Sequence, residues 1–282
     1  MKEIYLTRQQ IQKLKQYHIG NETVSNEAKF YRVPHHPKYL YKLYKHGNEQ
    51  YLERKEQKVR LLNAYKNEID IPNLVLPNKI IYINNEFGGI RIDRIKGKNL
   101  SVILYGDKIP LSYKIKLLKQ LGTLLSEIKK RNPTLNLAFG DVHPDNFLVK
   151  DDNVYGIDTD GMKILNSPGR ISYFLTSGLI FSTNKYTLAK DGLPEATNDT
   201  DIFCFIMIIF QLLTGYRSIF RIPLDTYKQY LDYLDTLGFN TKLLEAFSSI
   251  YDLYNPNIDP TPYLDYLFVN EKTSYQEFNR HF

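Results

Sequence analysis

The middle of the chain carries a helical pattern of apolar residues. Between residues 112 and 130, apolar side chains recur at intervals of three and four, at Ile115, Leu117, Leu118, Leu121, Leu124, Leu125 and Ile128. This spacing predicts a helix with one apolar stripe that packs on a core. A second apolar run covers residues 202–213 and is broken only by Gln211. Because it is too short to cross a bilayer, it predicts a buried core helix.

The first hundred residues show strand patterns instead. Segments rich in β-branched and aromatic residues cover residues 28–33, 39–44, 74–83 and 87–95. Asn84 and Asn85 separate the last two segments and are typical of a tight turn. The pattern therefore predicts a sheet in this part of the chain.

Two helices are predicted to accompany these strands. Thr7, three residues before Gln10, fits a capping box and predicts a short helix over residues 8–17. Residues 49–65 are charged, with apolar residues around Val59, and predict a partly exposed helix. Strands come first, and helices follow with one inserted hairpin. This order predicts an α+β fold with a strand-rich N-lobe, residues 1–95, and a mainly helical C-lobe, residues 96–282.

Composition narrows the class of protein. Apolar residues make up 43% of the 282, which is enough for a substantial core. The single cysteine, Cys204, excludes an internal disulfide and is typical of a reducing compartment. The net charge of +6 comes from scattered lysines, which favours a solvated surface over a nucleic-acid interface. We expect a soluble cytoplasmic protein with no nucleic-acid or membrane partner.

One short stretch carries candidate chemistry. Residues 139–146 read Phe-Gly-Asp-Val-His-Pro-Asp-Asn. Pro144 fixes one φ angle and Gly140 permits another that most residues avoid, so the segment is predicted to be a shaped loop. Within it, Asp141 and Asn146 lie five positions apart, and an apolar strand-like segment follows.

This stretch resembles the catalytic loop of the protein kinase-like superfamily, which runs from protein kinases to aminoglycoside phosphotransferases. The family pattern is Asp, four residues and Asn, and Asp141 with Asn146 matches it. The amino-acid sequence of the loop is similar to that of small-molecule phosphotransferases and some bacterial kinases. Asp158 follows a short hairpin, 158 − 146 = 12 positions later, close to the family's interval for its metal-binding Asp. The resemblance covers about residues 20–267 and implies a bilobal kinase-like fold.

The resemblance implies ATP and Mg²⁺ as cofactors and assigns roles to the loop. Asp141 would accept or orient the acceptor hydroxyl, and His143 could contact the γ-phosphate. Asn146 and Asp158 would hold Mg²⁺, which prefers oxygen ligands. Asp160, in Asp-Thr-Asp-Gly, is a second candidate for the metal.

By the same resemblance, Lys42 on the second predicted strand corresponds to the lysine that binds the α- and β-phosphates. Its ion-pair partner should come from the following helix. Glu56 is the preferred candidate because Val59 follows it by three positions, and Glu53 and Glu49 are alternatives.

Five further residues are expected around the adenine. Residues 92–97 resemble the family's hinge, so Asp93 and Ile95 would offer backbone hydrogen bonds. Leu40 and Leu148 would enclose the ring, and Val24 could cover it. The glycine-rich loop departs from the family, because residues 20–26 contain a single glycine.

Other departures concern regulation and the acceptor platform. Gly140 stands where many protein kinases carry an Arg that holds an activation-loop phosphate, so we expect no switch of that type. The Ala-Pro-Glu motif is replaced by Leu193-Pro194-Glu195, and the late Arg that pairs with its Glu is absent. The helix that begins near Asp201 retains the family pattern, in which this Asp binds the backbone of the catalytic loop.

Three functions fit these residues. The preferred one is a Ser/Thr protein kinase, with a protein as the acceptor in preference to a small molecule. The second is a phosphotransferase that acts on a small molecule of the aminoglycoside or choline kind. The third is a kinase-like binding module without catalysis, which the poor glycine loop favours and the retained Lys42, Asp141, Asn146 and Asp158 oppose.

Overall fold

The computed structural model describes residues 3–19, 27–45, 49–172, 195–214, 224–236, 238–252 and 258–265. It has an α+β fold, as the sequence predicted. The chain forms two compact units. The first comprises Met1–Lys96 and Tyr155–Asp160, and the second comprises Gly97–Val154 and Gly161–Phe282. Residues 155–160 therefore belong to the first unit, although the sequence pattern assigned them to the C-lobe.

A six-stranded sheet organises the first unit. Its strands are β1 (Glu3–Leu6), β2 (His18–Ile19), β3 (Ala28–Arg32), β4 (Tyr39–Tyr44), β5 (Lys79–Ile83) and β6 (Glu86–Asp93). They lie in the order β1-β5-β6-β4-β3-β2, antiparallel except for the β1–β5 pair. The predicted Asn84–Asn85 turn is confirmed, since both residues have positive φ, 51° and 69°.

Three helices belong to this unit: α1 (Arg8–Leu14), α2 (Glu49–Ala64) and α3 (Lys66–Ile69). The predicted capping box of α1 is confirmed. The Thr7 hydroxyl accepts from the Gln10 N–H at 3.2 Å, and the Gln10 side chain accepts from the Thr7 N–H at 2.7 Å. The capping box thereby gives two backbone N–H groups at the start of this short helix hydrogen-bond partners.

The sheet has a core on each face, and β4 shows how they are separated. Successive strand residues point to opposite faces. Tyr41 and Leu43 therefore pack with Leu14 of α1 on one face. Tyr44 packs with Val59 of α2 on the other. Lys42 lies between Tyr41 and Leu43 in sequence, so its side chain points to the α2 face, where it is 2% exposed.

The second unit is mainly helical. Its elements are β7 (Lys98–Asn99), α4 (Leu100–Leu104), α5 (Leu111–Leu135), β8 (Phe147–Lys150), β9 (Asn153–Gly156), α6 (Asn198–Thr214), α7 (Leu224–Thr236) and α8 (Thr241–Asp252). The last two residues of β9 belong to the first unit. The predicted helix at 112–130 is confirmed as α5, which continues to Leu135 through Pro133. Asn136 ends it in a left-handed conformation, with φ 47°.

The apolar run 202–213 forms most of α6 and is confirmed as a core helix. Phe203 to Phe210 are all buried, and the ring of Phe210 meets that of Phe247 edge-on at 5.5 Å. Within the described ranges, no helix combines the length and apolarity needed to cross a membrane.

Candidate functional site

Lys42 lies at the centre of a buried ion cluster in the first unit. Its Nζ donates to Oδ1 and Oδ2 of Asp160 at 2.7 and 3.0 Å, and it also donates to Asp158. Asp160 is 1% exposed, so one lysine and one aspartate are almost completely removed from water. Charges buried in this way require paired, hydrogen-bonded partners.

Asp160 also holds two further side chains. The Tyr44 hydroxyl donates to its Oδ2 at 2.7 Å, and Nζ of Lys55 donates to the same oxygen at 2.7 Å. Lys55 forms a second ion pair with Glu27 at 2.8 Å. We call the six residues Lys42, Lys55, Asp158, Asp160, Glu27 and Tyr44 the lysine–aspartate cluster. Three carboxyl groups face two ammonium groups in it, so a fully ionised cluster carries one excess negative charge.

Electrostatics fixes the protonation of the cluster. Burial alone would raise the pKa of Asp160, but the ammonium groups of Lys42 and Lys55 outweigh it and hold the pKa well below its usual value. Burial alone would lower the pKa of Lys42, but Asp158 and Asp160 outweigh it and raise the pKa above its usual value. Burial and the neighbouring Asp160 raise the pKa of Tyr44 well above its usual value. At neutral pH Asp160 and Lys42 are therefore charged and Tyr44 is a neutral donor.

Backbone contacts hold the segment that carries the two aspartates. The Val75 N–H donates to the Gly156 carbonyl at 2.9 Å, and the Thr159 hydroxyl donates to the Val75 carbonyl at 2.6 Å. Asp158 itself adopts φ 61°, a left-handed conformation that is uncommon for a non-glycine residue. Such conformations persist where the surroundings determine them, and they concentrate at functional sites.

The predicted ion pair between Lys42 and Glu56 is wrong. Glu56 accepts a hydrogen bond from Tyr82 at 2.5 Å and forms a salt bridge with Arg60 at 2.8 Å. Lys55, one position earlier, is the residue of α2 that points to the cluster. It lies four positions before the fully buried Val59 and therefore shares its face of the helix. Helix α2 thus contributes a lysine to the cluster. The acid that binds Lys42 is Asp160, and not the expected glutamate of this helix.

Because Lys55 and not Glu56 belongs to the cluster, substitutions at these two neighbouring positions should change the free energy of unfolding by different amounts. Lys55→Met should lower the free energy of unfolding by about 3 kcal/mol, because it leaves buried carboxylates less compensated. Glu56→Gln should lower it by less than about 1 kcal/mol, because its partner Arg60 is half exposed. Urea unfolding of both variants measures the difference. Equal losses would contradict the assignment of Lys55 to the cluster.

In the second unit, residues 140–146 form the loop predicted to be catalytic. Asp201, at the start of α6, accepts the Phe139 and Gly140 N–H groups on its two carboxylate oxygens, both at 2.7 Å. This confirms the predicted contact of Asp201 with the loop backbone. Gly140 has φ 82°, and a Cβ there would lie 2.3 Å from the Arg170 carbonyl oxygen. The loop therefore requires glycine at this position.

Asp201 gives the loop a pH-dependent support. Burial raises the pKa of Asp201 to about 7, although the two backbone donors oppose the rise. Because the pKa in the folded protein exceeds the ordinary value of 3.8, the stability that protonation of Asp201 contributes is fully present below about pH 4. It is lost as pH rises through about 7. Asp201→Asn should flatten this part of the stability profile and, since an amide cannot accept both N–H groups, cost about 2 kcal/mol.

Urea unfolding of the wild-type chain and of Asp201→Asn between about pH 4 and pH 8 measures both effects. The difference in unfolding free energy between the two proteins should shrink as pH rises. A difference that stays constant over this range would contradict the raised pKa of Asp201.

Three side chains meet at Asp141 or fix its position. Asn146 donates through Nδ2 to the Asp141 carbonyl oxygen at 2.8 Å, which leaves the amide oxygen as its possible ligand atom. The Asp141 carboxylate lies 3.5 Å from Nε2 of His143 and 3.7 Å from Nε of Arg170. Pro144 starts a short 3₁₀ helix, Pro144–Asn146, which turns the chain into β8. The loop thus presents a partly exposed carboxylate beside two nitrogen donors.

The remaining predicted residues are divided between the units. Leu40, on β4, and Ile95 are half-buried, and Asp93 is an exposed residue at the end of β6. Its carboxylate accepts from Asn78 at 3.2 Å. Leu148, on β8 of the second unit, is also half-buried. Val24 and the single-glycine loop lie outside the described residues.

Sequence reasoning missed four interacting side chains. Lys55, Tyr44 and Glu27 belong to the cluster, and Arg170 lies beside Asp141. The position of Lys55 on the Val59 face of α2 was the only available signal for the cluster. Glu195 also has an unexpected partner, since it forms a salt bridge with Lys163 at 2.5 Å.

A metal site is not evident from the protein ligands alone. Across the described parts of the chain, no three His, Cys, Asp or Glu side chains converge as a metal site would require. Mg²⁺ bound with a nucleotide needs only one or two carboxylates, because phosphates and water complete its shell. The oxygens of Asp158 and Asp160 already share the Lys42 ammonium, so this pair is arranged to hold a cation.

The comparisons with known proteins supply no assignment. No protein-family model matches the chain, and no curated protein matches it significantly.

Proposed function

We propose that this protein is an ATP- and Mg²⁺-dependent phosphotransferase with a bilobal, protein kinase-like fold. The observation that carries the proposal is the buried contact of Lys42 with Asp158 and Asp160. A lysine kept charged on a sheet, next to aspartates on a fixed segment, suits the binding of nucleotide phosphates and their metal. Phosphoryl transfer depends more on such positioning and charge neutralisation than on covalent catalysis by the protein.

The roles of the first unit follow from its charges. Lys42 would move part of its hydrogen bonding from the aspartates to the α- and β-phosphates of ATP. Asp160 would keep Lys42 oriented, because Lys55 and Tyr44 hold its carboxylate from the other side. Asp158, the more exposed of the two aspartates, would then be available for the metal.

The roles of the second unit centre on Asp141. Its carboxylate would orient the acceptor hydroxyl and take the proton as the oxygen bonds to the γ-phosphorus and ADP leaves. His143 and Arg170 lie beside Asp141 and could stabilise the charge on the transferred phosphoryl group. By the resemblance, Asp158 and Asn146 would be ligands of Mg²⁺, which neutralises phosphate charge when bound.

The preferred acceptor is a Ser or Thr hydroxyl of a protein. The Asp201 contact with the loop backbone supports this choice, because it follows the protein-kinase pattern of the resemblance. A small-molecule acceptor is the second candidate. The loop sequence Gly-Asp-Val-His-Pro-Asp-Asn favours a small-molecule acceptor, because this sequence is similar to that of small-molecule phosphotransferases.

Transfer of label from γ-labelled ATP with Mg²⁺ tests the proposal. The acceptors offered are the protein itself, a basic protein and a metabolite extract, and products are resolved by gel and by thin-layer chromatography. Asp141→Ala serves as the control. Label in protein bands that requires Asp141 supports a protein kinase, and label only in small molecules supports the second candidate. No label that depends on Asp141 in either fraction would contradict the proposal.

A further inference from the structure

Two cations lie side by side on the α1 face of the sheet in the first unit. Lys79 pairs with Arg91 across the β5–β6 ladder, and Tyr41 is the partner of Arg91 on β4. Residues directly opposite each other in a ladder share one face of the sheet. Tyr41 packs with Leu14 of α1, so all three side chains belong to the α1 face.

The pairing of Lys79 with Arg91 brings like charges together. Residues directly opposite on antiparallel strands have Cβ atoms about 4.5–5.5 Å apart, and like charges at this separation destabilise the sheet. In the described parts of the chain, no carboxylate forms an ion pair with either residue. An anion that contacts both side chains would therefore remove a repulsion that the protein itself leaves in place.

Arg91 is held in one orientation by neutral partners. Its Nε donates to Oδ1 of Asn78 at 2.7 Å, and its guanidinium carbon lies 3.9 Å from the centroid of the Tyr39 ring. Asn78 is fixed in turn, because its N–H donates to the Arg91 carbonyl at 2.9 Å and its side-chain amide donates to Asp93 at 3.2 Å.

This arrangement leaves the outer edge of the guanidinium for a ligand. Only the Nε of Arg91 donates to a described side chain, so the terminal N–H groups are not used by that part of the protein. Two such N–H groups on a planar guanidinium bind two oxygens of one phosphate or carboxylate group in parallel.

The local charge favours a phosphate over a carboxylate. Nζ of Lys38 lies 5.1 Å from the centroid of the Tyr39 ring, so a third cation shares the ring with Arg91. Asp93, two positions after Arg91 on β6, is the neighbouring acid. Three cations and one acid leave two positive charges. A phosphate monoester carries about −1.5 to −2 at pH 7 and balances them, whereas a carboxylate balances one.

These cations are separate from the phosphate-binding groups proposed above. Lys42 pairs with Ile90, the residue before Arg91, so Lys42 and Arg91 point to opposite faces of the sheet. The inference therefore does not depend on the proposed phosphotransferase activity, and the two can fail independently.

We propose that Arg91 and Lys79 form a binding site for a phosphate monoester group. Arg91 binds two phosphate oxygens through its terminal N–H groups, and the Lys79 ammonium contacts a third. Asn78 and Tyr39 are positioning residues, because they orient the guanidinium and do not contact the ligand. A phosphorylated Ser side chain of a protein and a free phosphorylated metabolite both carry such a group.

NMR of the full chain with ¹⁵N-labelled arginine tests the proposal, because the Arg91 Nε–H signal is identified by its loss in Arg91→Lys. The probes are acetyl-Gly-phosphoserine-Gly-amide and glycerol phosphate. Both should shift this signal saturably, and acetyl-Gly-Glu-Gly-amide should bind at least fivefold more weakly. Tighter binding of the phosphopeptide indicates a phosphorylated protein as the natural ligand, and equal binding of the two phosphate probes indicates a free phosphate ester.

Substitutions locate the phosphate. Lys79→Gln should raise the Kd for glycerol phosphate at least fivefold, whereas Lys66→Gln, at an exposed lysine of α3, should change it less than twofold. Asn78→Ala retains the three cations but releases Nε of Arg91. It should raise the Kd at least threefold and speed the exchange of the Arg91 Nε–H proton with water.

A variant of the lysine–aspartate cluster provides the second control. Lys42→Met with Asp160→Asn should bind glycerol phosphate with the affinity of the wild-type chain, because neither residue contacts the proposed site. Thermal unfolding of each variant confirms that it is folded, and Lys79→Ala replaces Lys79→Gln if that variant fails to fold.

Four results would overturn the proposal. They are the lack of a saturable shift of the Arg91 signal with both phosphate probes, equal affinity for the glutamate peptide, an unchanged Kd in the folded Lys79 variant, and loss of binding in the folded cluster variant.

Discussion

Lys42→Met is expected to lower the free energy of unfolding by about 3 kcal/mol, since it removes a cation from buried aspartates. Asp160 keeps Lys55 and Tyr44, but Asp158 and Asp160 would then repel each other with less compensation. Urea unfolding at neutral pH measures this loss. Asp160→Asn should produce a loss of similar size, because it leaves two buried lysines with one acid fewer.

A double-mutant cycle isolates the interaction between Lys42 and Asp160. Lys42→Met combined with Asp160→Asn should be more stable than the sum of the two single losses indicates. The expected coupling is about 2 kcal/mol, because neither charge remains buried without its partner. The exposed pair Lys116 and Asp152, at 2.9 Å, is the matched control and should show less than about 1 kcal/mol. Equal coupling in the two pairs would contradict a buried ion pair at Lys42.

Asp141→Asn is expected to reduce the rate of phosphoryl transfer by about 10²–10⁴-fold, which is the usual contribution of a positioned acid or base. The amide retains the shape of the side chain but cannot take the proton of the acceptor hydroxyl. The fold should be preserved, because the loop is held by the Asp141 carbonyl and by Asp201, and neither contact uses the Asp141 carboxylate. The affinity for ATP should change less than twofold.

Asp145→Asn provides a control within the same loop. Asp145 is exposed and accepts a hydrogen bond from the Ser101 hydroxyl at 2.6 Å. Its replacement should change the transfer rate less than twofold. Single-turnover kinetics with saturating ATP compares the two variants. A similar rate for Asp141→Asn and the wild-type chain would remove Asp141 from the chemistry.

Local patterns predicted most of the secondary structure. The stripe of α5, the capping box of α1 and the Asn84–Asn85 turn each depend on residues close in sequence, and all three are confirmed. The predicted strand at 74–83 starts later, at Lys79, because Pro77 lies within it and cannot donate to a ladder. Strand β1 was missed, since four residues with a parallel partner more than seventy positions away leave no local signal.

In the candidate site, too, a motif predicted one contact correctly, whereas contacts that depend on tertiary packing were missed. The approach of Asp201 to the 140–146 loop was predicted from a motif, and the structure confirms it. The choice of Glu56 failed because a spacing of three from Val59 and a spacing of four are both compatible with one helix face. Only packing shows that Lys55 occupies the inward position, at 8% exposure. Ion pairs between residues 105 and 118 positions apart depend on the tertiary fold and cannot be derived from spacing.

The most direct test of the central claim is calorimetric titration of the chain with MgATP. The claim is that the lysine–aspartate cluster receives the phosphates of the nucleotide. We predict saturable binding to the wild-type chain, at least tenfold weaker binding when EDTA removes Mg²⁺, and at least tenfold weaker binding to folded Lys42→Met with Asp160→Asn. No binding of MgATP by the wild-type chain, or equal affinity in the folded double variant, would contradict the claim.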